Sequence, residues 1–103
     1  MSALTKLARG RNCTIRLPVC DGGGPTTVPA HFRSQRIGAG MGIKPPDLFI
    51  AFACDPCHSV VDGRTHIEGL SKDEVRHAHL MGVVETQKWL LDHGYIVIGG
   101  NRK

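Results

Sequence analysis

Four cysteines in a chain of 103 residues constrain the fold more than any other feature. Six residues separate Cys13 from Cys20, 33 more follow, and Cys54-Asp55-Pro56-Cys57 completes the set. Apolar residues make up 41% of the chain and aromatics only 5%. The core is therefore thin, and a domain of this size leaves much of its surface in water. Such a chain needs a staple. Met1 to Arg9 contain no apolar run long enough for a signal peptide or a membrane span. That points to the cytoplasm, where thiols stay reduced and serve metals or catalysis. The expectation is one tetrahedral structural zinc site formed by Cys13, Cys20, Cys54 and Cys57, joining distant segments. Buried free thiols are the plain alternative.

Other chemistries use Cys-x-x-Cys and fit less well. Cys54-Asp55-Pro56-Cys57-His58 matches the attachment pattern of c-type haem, but that chemistry goes with export. A thioredoxin-like redox pair belongs at a strand-to-helix junction within a βαβ unit, whereas the flanking sequence here reads as a hairpin followed by a short helix. A zinc deaminase needs His-x-Glu, and this chain offers His31-Phe32-Arg33, with no carboxylate to shuttle the proton.

The organisation reads as α+β in one domain, 1–103, with a zinc-bearing part over 1–66 and a packing helix over 71–93. Gly22-Gly23-Gly24-Pro25 and Gly38-Ala39-Gly40-Met41-Gly42 mark loops. Thr27 to Phe32 reads as a short strand that Pro29 confines to an edge or bulge. Leu48 to Ala53 reads as a second strand, and Pro56 suits the first turn of a short helix. A long helix opens on a Ser71-x-x-Glu74 capping box and closes at Gly94 after His93. Leu80, Val83, Val84, Leu90 and Leu91 form its expected core stripe. Tyr95 to Ile98 is expected as a terminal strand, and Gly99 to Lys103 as a basic tail.

Thirteen Lys and Arg against nine Asp and Glu give a net charge of +4, which favours a polyanionic partner and leaves its identity open. No membrane partner is expected, and the sequence carries no signal for oligomeric state.

The order of residues then resembles a known family. His31, Asp47-Leu48 and Cys54-x-x-Cys57-His58, with Asp62 one helical turn on, look like the His-Asn-His (HNH), or ββα-metal, nucleases. More closely, Ala8-Arg9-Gly10-Arg11-x-Cys13, Ala30-His31-x-Arg33, Lys44-Pro45-Pro46-Asp47-Leu48 and Ala53-Cys54-x-x-Cys57-His58 resemble the YbcO-type nucleases of lambdoid prophages. The resemblance covers most of residues 8 to 66 and thins along the C-terminal helix.

That resemblance implies a small ββα-metal core and a metal-dependent endonuclease that cuts DNA phosphodiester bonds in a bacterial host cell, in phage DNA processing or recombination. It implies His31 as general base, since a neutral imidazole takes a proton from water at physiological pH. His58 matches the histidine that holds a catalytic divalent ion, Mg²⁺ or another. Asp62, four residues on, is a candidate second ligand, and His66 a weaker one. Asp47 stands where the family has asparagine; it accepts a hydrogen bond from the His31 ring but donates none. Many members place a ligating Asp or His directly before the base, where this chain has Ala30. His77, His79 and His93, on the long helix, receive no role.

Arg9, Arg11, Arg33, Arg36, Lys44 and Arg64 are the candidate phosphate contacts, and no base-reading element is evident. The Gly38 to Gly42 loop could approach a phosphate backbone, although glycine-rich turns usually only connect elements. The competing reading is a non-catalytic zinc-stabilised nucleic-acid-binding or adaptor module. Such a module requires neither a histidine after Cys57 nor one on the first strand.

Overall fold

A computed structural model describes residues 6–34, 36 and 48–97. Within them the chain is α+β: strand β1 (Val28–His31), strand β2 (Ile50–Ala53), helix α1 (Asp55–Val61) and helix α2 (Lys72–Asp92). The strands form an antiparallel pair in which Val28 faces Ala53 and His31 faces Ile50. Pro29 lies opposite Phe52 in a two-stranded sheet, which supplies the edge position a residue without an N–H requires.

β2 is buried on both faces. Ala51 and Ala53 pack with Cys13, Ile15, Leu17, Cys54, Cys57, Val60 and Val83. Ile50 and Phe52 point the other way, against Ala8 and Leu90, with Trp89 and Ile96 alongside. This alternation follows from the period of two along a strand.

α1 begins directly after β2, with Pro56 in its first turn, where its missing N–H costs nothing. α2 starts as its sequence indicates. The Ser71 backbone N–H donates to Glu74 Oε1 at 2.8 Å, and the Glu74 N–H donates to Ser71 Oγ at 3.1 Å. The helix closes at His93, and Gly94 follows with φ +80°.

The core face of α2 differs from the expected stripe. Val83 and Leu90 are buried, but Leu80, Val84 and Leu91 are 43%, 50% and 39% exposed. The inward face instead carries His79, Gly82, Val83, Thr86 and Leu90. Hydrophobicity alone misplaces the face because the helix approaches closely and satisfies buried backbone. A Cβ on Gly82 would lie 2.9 Å from Ile15 Cγ1 and 3.1 Å from Ala51 Cβ. Thr86, fully buried, accepts the Phe52 N–H at 3.1 Å and lies 3.0 Å from Thr14 Oγ1, which donates to the Phe52 carbonyl at 3.2 Å.

Tyr95 to Val97 are not a strand. The N–H groups of Tyr95 and Ile96 both donate to the Leu90 carbonyl, at 2.9 and 3.4 Å, closing the end of α2. Tyr95 and His93 stack on Trp89, with centroids 5.8 and 4.1 Å away. Satisfying the last helical carbonyls outweighs the β propensity of this segment. Ile98 to Lys103, Lys44, Asp47 and the Gly38 to Gly42 loop lie outside the described residues.

Candidate functional site

The four cysteine sulfurs converge. All lie within 4.8 Å of one another, and the Sγ atoms of Cys20 and Cys54 are 3.8 Å apart. Zn–S bonds of about 2.3 Å in a tetrahedron place sulfurs about 3.8 Å apart. A disulfide would bring two of them to about 2 Å, and all four are free thiols. The donor set and its spacing therefore fit one zinc ion. Among the described residues, no other set of three or more His, Cys, Asp or Glu converges in this way.

Three segments supply the sulfurs. Cys13 and Cys20 come from a loop closed by Gly23, where a Cβ would sit 2.6 Å from the Cys13 nitrogen and 2.8 Å from the Arg11 carbonyl. Gly23 has φ +85°, so glycine meets both demands. Cys54 follows β2 as the N-cap residue of α1, and Cys57 lies in the first turn of α1. Backbone N–H groups of Leu17 and Gly22 donate to the sulfurs of Cys57 and Cys20, at 3.4 and 3.3 Å. Such donors stabilise thiolate charge.

The thiols also differ in acidity. A hydrogen bond from the Cys57 thiol lowers Cys13 to about 4. The same contact, aided by burial, raises Cys57, and burial pushes Cys54 up to about 11. Cys13 thus already carries charge near neutral pH, whereas the Cys54 and Cys57 thiols give up their protons when a cation binds.

The residue after Cys57 is His58, half-buried on α1. Its Nε2 lies 3.4 Å from Asp62 Oδ2, one turn on. Two donors about 2.1 Å from one ion at right angles stand about 3 Å apart, so this pair suits a shared cation with small adjustment. Arg64 Nη2 lies 3.4 Å from His58 Nδ1 and 3.5 Å from Asp62 Oδ2. Because guanidinium only donates, this contact uses Nδ1 as acceptor, whereas a cation between Nε2 and Asp62 would need the ring proton on Nδ1 and the Arg64 guanidinium turned aside.

The other predicted residues are distributed as follows. His31 is half-buried at the end of β1. Ala30 before it is 2% exposed and belongs to the core, so the position where many family members carry a ligand points inward here. His66 is exposed and, with Asp62, Arg76 and His79, lines a cavity of about 420 Å³ between the end of α1 and the start of α2. Arg9, Arg33 and Arg36 are exposed. Arg11 stands apart from the α1 cluster, with its guanidinium 5.2 Å over the Trp89 ring near the far end of α2.

Two residues on α2 carry contacts the sequence did not signal. His79 is buried, with Nε2 3.0 Å from the Ala30 carbonyl. Arg76 donates to the Arg33 carbonyl at 2.6 Å. Neither pairing is visible in spacing, because both partners are backbone oxygens more than forty residues away in sequence.

Comparison with known proteins gives the family. The pattern of one family, described as "Putative nuclease YbcO", matches residues 2–95. It therefore runs along α2, well past the 8 to 66 stretch that carries the sequence resemblance. Two relatives are each 41% identical over 97 residues, covering 93% of this chain and 98% of the relative. They are "Putative nuclease YbcO" of Escherichia coli (strain K12) and "Putative nuclease ybcO" of Enterobacteria phage 82. A solved structure, described as "Structure of a putative bacteriophage protein from Escherichia coli str. K-12 substr. MG1655", is similar with a TM-score of 0.73 and 39% identity, over 88% of this chain and 99% of that one. The chain belongs to the YbcO family.

Proposed function

We propose that this chain is a metal-dependent endonuclease of the HNH type, acting as one domain on DNA phosphodiester bonds, with His31 as general base. The observation that carries the reading is the His58–Asp62 pair, 3.4 Å apart on the helix that begins inside the thiolate cluster. A zinc ion on the four sulfurs would hold the start of α1 rigidly against the end of β2. The ββα order of the chain then presents one imidazole from the strand and one from the helix.

In this reaction the His31 imidazole removes a proton from water, and the resulting hydroxide attacks phosphorus in line. The P–O bond to the leaving oxygen breaks, and that oxygen takes up a proton from solvent. His58 and Asp62 would hold a divalent cation, which would supply charge neutralisation on the phosphate and at the leaving oxygen. Asp47 would orient the His31 ring by accepting its second N–H. Arg9, Arg33, Arg36, Lys44 and Arg64 would neutralise DNA phosphates, so affinity falls as salt rises; Arg11 would do so from its separate position. Recruitment to phage DNA in the cytoplasm of a bacterial host is the corresponding setting.

Plasmid nicking in Mg²⁺ or Mn²⁺ tests the reading. Wild type should relax and linearise supercoiled DNA, and His31→Ala should lose the activity. Identical, uncut plasmid in both samples would overturn it; DNA binding retained without cleavage would point to a non-catalytic zinc-stabilised module.

A further inference from the structure

We propose that His79 and Arg76 are positioning residues that fix the strand end carrying His31, a role that rests on the nuclease reading of that histidine. β1 ends at His31, and a two-stranded pair is only marginally rigid by itself. A general base must nevertheless be held to within about half an ångström of its productive place. Beyond the ladder, the Phe32 N–H donates to the Phe49 carbonyl at 2.8 Å, which secures one side of the segment. The other side is held by α2.

His79 and Arg76 lie three residues apart and so share a helix face. The His79 Nε2 faces a carbonyl, which only accepts, so the proton is on Nε2 and the bond to Ala30 at 3.0 Å runs from ring to backbone. The Phe32 ring meets the His79 ring edge to face, with centroids 5.2 Å apart at 77°. The Arg76 guanidinium lies 4.5 Å from the Phe32 ring centroid and donates to the Arg33 carbonyl. The helix thereby grips the backbone on both sides of His31 and the side chain next to it. A leucine at position 79 would fill similar space but remove the donor that ties the Ala30 carbonyl to α2, so the imidazole is explained by placement better than by packing.

The grip also borders the candidate cation ligands. His79 and Arg76 line the 420 Å³ cavity whose lining includes Asp62 and His66. α2 repeats the device at Gln87, whose Nε2 donates to the Leu48 carbonyl at 2.9 Å, next to Asp47 in sequence.

The test combines a spectroscopic and a kinetic readout on the zinc-loaded full chain. Histidine-ring ¹H–¹³C resonances are recorded for wild type, His79→Leu, His79→Gln and Arg76→Met, and each protein is assayed for single-turnover plasmid cleavage and for plasmid Kd. In His79→Leu the His31 ring resonances should shift and broaden, and cleavage should slow by up to about 100-fold with Kd nearly unchanged. His79→Gln, which keeps an N–H donor, should restore most of both. Arg76→Met disturbs the same resonances if His79→Leu fails to fold. His31 resonances that superimpose on wild type in the folded variants overturn the proposal, whatever the cleavage rate. If wild type itself cuts nothing, the nuclease reading falls by that result alone, and the ring spectra still decide whether α2 positions His31.

Discussion

The backbone N–H of Phe52, in the middle of the buried strand, donates to the hydroxyl of Thr86 on the long helix at 3.1 Å. Thr86 is 0% exposed, so no water can replace it. Thr86→Val keeps the shape and removes the acceptor, leaving a buried donor unpaired. Stability to urea should fall by about 1–3 kcal/mol with the slope of the transition unchanged.

Gly82 should resist the most conservative change available. Alanine normally gains about 1 kcal/mol over glycine within a helix. Here its Cβ would come 2.9 Å from Ile15 Cγ1, 3.1 Å from Ala51 Cβ and 3.2 Å from the Thr14 carbonyl. Overpacking of this kind costs about 1–3 kcal/mol, so Gly82→Ala should lower the thermal midpoint where propensity alone would raise it.

Metal content decides the cysteine site. Elemental analysis should find about one zinc per chain. Chelation or Cys54→Ala should unfold the protein, because the binding energy of structural zinc, about 10–16 kcal/mol, matches or exceeds the whole stability of a small domain. Burial pushes Cys54 up to about 11, so zinc must displace protons to bind. Affinity therefore rises with pH, and acidification should release the ion, as a colorimetric zinc chelator can follow.

Removing the proposed cation ligand Asp62 should appear as a metal requirement. Asp62→Asn keeps the shape of a side chain 3.4 Å from His58 Nε2 but removes its charge. The Mg²⁺ or Mn²⁺ concentration for half-maximal cleavage should rise by at least the roughly 10–100-fold that loss of an outer-sphere partner costs.

His79 gives the fold a pH dependence of known sign. Burial lowers its pKa from the ordinary 6.5; Arg76 and His58 act in the same direction, while the Ala30 carbonyl and Asp62 oppose it. The folded state therefore binds this proton less readily than the unfolded chain. Its contribution to stability is complete above about 6.5 and is lost as the pH falls towards the folded value. Urea titrations of wild type and His79→Gln with zinc present should show a stability difference that narrows between about pH 7.5 and 5.5.

How much of this was legible in the sequence depended on the kind of interaction. Elements set by local chemistry could be read directly: Ser71 and Glu74 cap α2, Pro56 opens α1, and Gly94 ends α2. The cysteines could be read because few side chains make four-fold sites and their spacing allows closure. The inward face of α2 could not, since Gly82, Thr86 and His79 are chosen for close approach and for backbone partners far along the chain. Leu80, Val84 and Leu91 look like core by hydropathy and are exposed. Tyr95 to Val97 look like strand by propensity, yet serve as a cap stacked on Trp89. The pairing of His58 with Asp62 followed from helical spacing, while the guanidinium of Arg64 beside both did not.

The antiparallel pairing of His31 with Ile50 leaves both ends of residues 32 to 49 tied to the same sheet. Entropy charges little for lengthening a segment whose ends are already tethered, about 0.6 kcal/mol for each doubling. The sheet pairing itself therefore tolerates a change in the number of residues between its two strands at small cost, while the thiolate cluster and the long helix keep their register.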